Sequence, residues 1–202
     1  MSRTIEMIIL ISFLVVTESY SNNISSSSDS VFKSSTLLID ILTVKDINGV
    51  SYLLRNKTKI FIFLDVECPI SQSYTLYLEK LHLKYKKLGI LFFCVFPTKY
   101  TEVEEIIVFN KKYNLTIPSV LDKFQSITKK LNATITPEVF VINPKNEICY
   151  FGGIDNNFFA LGKRNLKPKI FYMEEALDSV IKNKKIQLFH NQAIGCEIQR
   201  II

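Results

Sequence analysis

The stretch from Lys59 to Gly89 limits the fold more than any other part of the chain. It begins with the apolar run Ile60-Phe61-Ile62-Phe63-Leu64 and passes through a short polar turn to Cys68-Pro69. It then carries Tyr74, Leu78, Leu81, Tyr85 and Leu88 at spacings of four and three. An unbroken apolar run of this kind reads as a strand covered on both faces. The four-and-three stripe reads as one face of a helix from about Ser71 to Leu88, with Gly89 placed to end it. Pro69 suits the first helical turn because it has no N–H to lose there, and its ring holds the preceding residue extended. Cys68 therefore stands where the strand hands over to the helix. Unpaired backbone N–H groups and the positive end of the helix dipole meet at that point and favour thiolate over thiol, which predicts a nucleophilic cysteine.

Elements of both kinds alternate around this unit. Leu37–Thr43 and Ser51–Leu54 read as short strands around the Asn48-Gly49 turn. Ile90–Phe96 is too hydrophobic for an exposed face and reads as a second buried strand, which makes Cys94 a packed core thiol. Thr101, with Glu104 three residues on, opens a helix that runs to Tyr113. Pro118–Leu121 is extended and Lys123–Leu131 is a short helix. Strands Glu138–Asn143 and Glu147–Phe151 flank the turn Asn143-Pro144-Lys145-Asn146, and a last helix spans about Met173–Lys182. Two strands joined that tightly are antiparallel, so the expected class is α/β with a mixed central sheet flanked by helices.

The four cysteines, Cys68, Cys94, Cys149 and Cys196, are too few and too far apart for a disulfide scaffold, and they form no close pair of the zinc-binding kind. No metal site is expected. His82, mid-helix among Leu81, Leu83 and Lys84, is expected at the surface or its boundary. The net charge of +6 is spread over many lysines without a basic block, which argues for a solvated surface and against a nucleic-acid site. Arg3, the apolar run Met7–Val16 and the small residues Ser19 and Ser21 have the order of a secretory signal over residues 1–21. The apolar run is short of the roughly 20 residues of a spanning helix, so no stable membrane insertion is expected once the leader is removed. Residues 22–34, with the Ser25–Ser30 tract, read as a disordered polar tether, and residues 35–202 as one domain. The expected location is outside the cytosol: periplasmic in a bacterium, otherwise secreted.

Four motifs follow in order: Glu67-Cys68-Pro69, Thr136-Pro137-Glu138-Val139-Phe140-Val141, Gly152-Gly153-Ile154-Asp155 and Gly195-Cys196. On these the chain, from about Ser35 to Cys196, resembles the thioredoxin-like redoxins of the alkyl hydroperoxide reductase/thiol-specific antioxidant superfamily, most closely an exported subgroup. The resemblance implies a thioredoxin-like three-layer sandwich and an oxidoreductase whose nucleophile is Cys68. It places Ser71 where thioredoxin has its second cysteine, and it makes Pro137 a cis-proline beside the nucleophile. Thr136 would then offer its backbone to substrate, with Pro69 and Ser71 as further contacts. Peroxiredoxins carry Pro-x-x-x-Thr-x-x-Cys, and those proline and threonine positions are here Phe61 and Asp65, which puts peroxide reduction in doubt. Glu67 is either a proton acceptor for the thiol or a solvated turn residue. Cys196, on a tail that Gly195 makes pliable, is the candidate resolving thiol from the same or a neighbouring chain. The expected partners are a disulfide or peroxide substrate, an external thiol or disulfide, and a second copy of the chain; no cofactor is expected. The rival expectation is a thioredoxin-fold binding or structural module without turnover.

Overall fold

The computed structural model describes residues 39–166, 170–184, 186 and 189–201; the signal and tether expected over 1–34 lie outside them. Its centre is a six-stranded sheet of order β11-β8-β7-β3-β4-β5. Here β3 is Lys59–Phe63, β4 Leu91–Phe96, β5 Ser119–Leu121, β7 Glu138–Ile142, β8 Ile148–Gly152 and β11 His190–Asn191. Strands β3, β4 and β5 run parallel, β7 lies antiparallel to β3 and β8, and β11 joins β8 in parallel, so the sheet is mixed.

Alternation along the buried strands sorts their side chains onto two faces. Ile60, Ile62, Phe92, Cys94, Val139 and Val141 meet three helices on one side: α1 (Pro69–Tyr85), α2 (Val103–Tyr113) and α4 (Tyr172–Ile181). Phe61, Phe63, Phe93, Val95, Phe140 and Ile142 form the other face. That face is covered by the hairpin β1 (Thr43–Lys45) and β2 (Ser51–Leu53) and by α3 (Ser126–Leu131). The result is a three-layer, thioredoxin-like arrangement. Two short strand pairs lie outside the main sheet: β9 (Phe158–Ala160) with β10 (Lys163–Arg164), and β6 (Ile135–Thr136) with β12 (Cys196–Glu197).

Several local expectations shift. Of the strand expected over Leu37–Thr43, residues 37 and 38 lie outside the described residues and residues 39–42 are not strand: the Ile39 N–H donates to Asn146 in the β7–β8 turn, and the first described strand begins at Thr43. The hairpin turn is closed by the Asp46 carboxylate, which accepts from the Asn48 and Val50 N–H groups, each at 2.9 Å. The cap of α2 lies one residue later than expected: Thr101 is itself buried, and Glu102 and Glu105 form the reciprocal capping box. Helix α3 is shortened at its start, where Gln125 adopts a left-handed φ of 56° and the Asp122 carboxylate accepts from the Ser126 and Thr128 N–H groups. His82 is not at the boundary; only 7% exposed, it meets the Phe92 ring edge-on at 5.4 Å. Helix α1 is buried over a wider arc than its apolar stripe, because α4 and the loop before β5 close over its flanks through Tyr77–Glu174 and Glu79–Thr116 bonds.

Candidate active site

The C-terminal end of β3 leads into a tight turn that delivers Cys68 to the start of α1. The Asp65 carboxylate accepts from the Glu67 N–H at 2.8 Å, the Asp65 carbonyl accepts from the Cys68 N–H at 3.3 Å, and Gln72 reaches back to the Val66 carbonyl at 2.8 Å. Cys68 is the N-cap of α1, with extended φ and ψ of −73° and 114° and Pro69 following it. Its thiol donates to the Thr136 carbonyl at 3.2 Å, and the Thr136-Pro137 bond is cis. Thr136 and Pro137 are both buried.

The Cys196 thiol donates to the Cys68 sulfur at 2.8 Å across 128 residues of sequence. The two thiols are free, and their sulfurs lie within about 1 Å of the roughly 2.05 Å of a disulfide bond. The tail that carries Cys196 is not loose, contrary to what its terminal position suggests. Strand β12 pairs antiparallel with β6, Cys196 opposite Thr136 and Glu197 opposite Ile135, and the Thr136 hydroxyl donates to the Cys196 carbonyl at 3.3 Å.

The surroundings split the four thiols. Burial is the largest influence on Cys68 and opposes its ionisation. The Cys196 thiol, the Ser71 N–H and hydroxyl and the Ile70 N–H together outweigh it and hold Cys68 below the ordinary value of 9.0. The N–H donors are the free backbone groups of the helix start. Cys196 is pushed up to about 12 by burial, by its bond to Cys68 and by the negative charges of Cys68 and Asp65. Burial also raises Cys94, which is wholly enclosed, and Cys149 on β8. One low and one high thiol in contact are the chemical requirement for a nucleophile with a built-in second thiol.

The remaining expected site residues fall at different distances from this chemistry. Pro69 is exposed at the helix start. Ser71, expected to touch substrate, is fully buried; its oxygen accepts from the Asp65 N–H at 3.3 Å, which turns its own O–H toward Cys68. Glu67 is exposed, and no hydrogen bond joins its carboxylate to either thiol. It lines a groove of about 190 Å³ that opens beside the pair, together with Asp65, Pro97, Tyr100, Glu197 and Ile198. The contribution of Gly195 to the geometry was legible only as pliancy; its actual role is closeness, since a Cβ there would fall 2.0 Å from the Thr136 oxygen. Among the described residues no group of His, Cys, Asp and Glu is arranged to hold a metal, and no helix is long and apolar enough to cross a membrane.

A thioredoxin-like sheet with a cysteine at the start of its first long helix and a cis-proline strand beside it defines the class. The Redoxin family model matches residues 45–157, more than half of the chain, and the protein belongs to that family. The matched span holds Cys68, Thr136 and Pro137 and stops before Cys196. No curated protein matches the chain. Among solved structures it is similar to a hypothetical protein of Sinorhizobium meliloti at 20% identity, covering 81% of this chain and 94% of that one with a TM-score of 0.68. An uncharacterized protein of Geobacillus kaustophilus is similar at 18% identity, 81% and 92% coverage and a TM-score of 0.67. A proposed thioredoxin of Neisseria meningitidis follows at 17% identity, 72% and 90% coverage and a TM-score of 0.57. These likenesses establish the shared fold.

Proposed function

We propose that the protein is a thiol–disulfide oxidoreductase whose redox pair is Cys68, the nucleophile, and Cys196, the resolving thiol. The observation that carries this reading is the 2.8 Å contact between two sulfurs of opposite acidity, one at a helix start and the other on a docked strand. The Cys68 thiolate attacks one sulfur of a substrate disulfide, the other leaves as a thiolate and takes a proton, and a mixed disulfide remains. Cys196 then gives up its proton and attacks the Cys68 sulfur. The second substrate thiolate departs, two electrons have passed to the substrate, and the protein holds a Cys68–Cys196 disulfide that an external dithiol reduces. Thiols carry every step, so no cofactor is required. Thr136, Pro137 and exposed Pro69 are the surfaces assigned to substrate; Glu67, exposed and bonded to neither thiol, is assigned no step.

Disulfides suit this site better than peroxide. Phe61, which stands at the peroxiredoxin proline position, is buried in the sheet away from the thiols, and Asp65 brings a negative charge where the threonine hydroxyl would be. The leader-like Met7–Val16 run supports exchange in an exported, disulfide-permissive compartment. The test is a disulfide map of the protein after stoichiometric oxidised glutathione. A Cys68–Cys196 peptide is expected, with Cys94 and Cys149 still reduced. Persistent glutathione on Cys68 beside a free Cys196 thiol rejects Cys196 as resolver, and a wholly unmodified Cys68 rejects the enzyme in favour of a binding module.

A further inference from the structure

Strand β6 stands outside the main sheet, and β12 is its strand partner among the described residues. Their pairing is only two residues long, yet the chain is held on both sides of Cys196. Before it, Gly195 packs so tightly on β6 that an added Cβ would lie 2.0 Å from the Thr136 oxygen and 2.6 Å from its carbonyl carbon. After it, Ile198 is buried at 6% exposure and its N–H donates to Thr134 at 2.8 Å. Gln125, itself enclosed, then donates to the Gln199 carbonyl at 2.6 Å and accepts from the Ile201 N–H at 3.1 Å.

This docking has a steric consequence. The Cys196 sulfur, 2.8 Å from Cys68, takes up the approach to Cys68 along the β6 edge. The same strand also occupies the backbone of Ile135 and Thr136. An extended substrate segment paired on that edge and docked β12 therefore exclude one another.

Resting on the Cys68–Cys196 reading, we infer that β12 is a tethered stand-in for a substrate polypeptide. A disulfide-bonded, extended segment of a partner protein reaches Cys68 by replacing β12 on the Ile135–Thr136 edge, and the return of β12 displaces the product strand as Cys196 resolves the mixed disulfide. Strand addition gives such a segment main-chain hydrogen bonds that a small disulfide lacks. The tail also describes the partner it imitates: a small residue directly before the cysteine, as Gly195 requires, and an apolar residue two positions after it, as Ile198 requires. After Cys68 attacks, the mixed disulfide swings off the edge about the Cys68 Cβ–Sγ bond, so that Cys196 comes in line with the bond it breaks. The partner leaves as a thiol, and the protein keeps the internal disulfide.

The competition is measurable in full-length Cys196→Ser protein, which cannot resolve but keeps the β12 backbone. Gly195→Ala and Ile198→Ser are added separately to this background, because they loosen the strand from opposite sides of position 196 and the first removes no buried side chain. The probe is a synthetic peptide of pattern Gly-Cys-x-Ile whose cysteine is joined to a chromogenic thiol, compared with bis(2-hydroxyethyl) disulfide. Single-turnover release from the peptide is expected to be several-fold faster in both double variants than in Cys196→Ser alone, and slower when the peptide glycine is replaced by leucine. In the Cys196-containing protein the same loosening is expected to quicken the first step and slow multiple turnover. Unchanged or slower first steps with the peptide in both double variants overturn the inference. A missing Cys68–Cys196 disulfide in the oxidised native protein instead defeats the underlying assignment, and it is detected independently of these rates.

Discussion

The Cys68 thiol donates to the Thr136 carbonyl at 3.2 Å, so the thiol ionises only by surrendering that bond. Ionisation is favoured all the same, because the donors gathered at the start of α1 and on Cys196 act on the thiolate and not on the thiol. The Thr136 carbonyl is then left facing an anion. Cys196, which pairs with Thr136 across the strands, is also the donor that most favours that anion.

Alkylation by iodoacetamide across pH, followed by peptide mass spectrometry, is expected to modify Cys68 first, with an inflection below the ordinary thiol value of 9.0. Cys196, Cys94 and Cys149 should lag, since all three are shifted upward. Cys196→Ala removes the strongest favourable donor to Cys68 and should move the Cys68 inflection upward. An inflection that stays in place in that variant would mean that the thiol–thiol bond does not act on Cys68.

The pair also imposes a pH optimum on the stability of the reduced protein. Between the lowered folded value of Cys68 and 9.0, the unfolded chain holds a proton that the folded protein has released, so stability rises with pH. Between 9.0 and about 12 the sign reverses, because folded Cys196 keeps a proton that the unfolded chain has lost. Urea unfolding of reduced native protein, minus that of Cys68→Ser/Cys196→Ser, is expected to peak near the ordinary thiol value. A monotonic difference across that range would contradict the opposed shifts.

Glu79 links α1 to the loop before β5, its two carboxylate oxygens accepting from the N–H and the hydroxyl of Thr116. Thr116→Val keeps the shape and removes the hydroxyl donor. Because Thr116 is exposed, water can replace part of the lost bond, and the expected cost is about 1 kcal/mol in urea unfolding. No loss of stability would show that the backbone bond alone holds the link.

The large elements were legible because their periodicity spans enough residues to be unambiguous. Strands β3 and β4 are buried at nearly every position, as their unbroken apolar runs require; α1 buries Tyr74, Leu78, Leu81 and Tyr85 as its stripe predicts, but it ends at Tyr85, and Leu88, the last of the stripe, is exposed in a 3-10 turn. The short strands β6 and β9 to β12 have two or three residues each, too few to express a period of two, and tertiary contact alone decides their pairing. Cys68 was legible from its helix start, a local property. Its contact with Cys196 depends on Gly195 fitting against the Thr136 peptide, and no local pattern records that closeness. His82 misled for a related reason: its neighbours Leu83 and Lys84 pointed to the helix boundary, whereas the packing of α1 against Phe92 encloses it.

His82 supplies the last expected outcome, which separates burial from function. Its Nδ1 has no hydrogen-bond partner. Burial lowers its basicity, and so does Lys86, while Glu79 one turn earlier opposes them; the aromatic edge of Phe92 covers the ring. The folded protein therefore withholds a proton that the unfolded chain accepts near 6.5, and stability is complete above that value and lost as pH falls below it. His82→Leu removes both the titration and the unpaired buried nitrogen, so urea midpoints at pH 7.5 should be equal to the native protein's or higher. The fall between pH 7 and pH 5 should be shallower than in the native protein. The thiols lie on the far side of the first turns of α1, so the alkylation profile of Cys68 should not move. An unchanged acid slope in His82→Leu would assign the acid sensitivity to the carboxylates, and a shifted Cys68 profile would place His82 within the electrostatics of the redox pair.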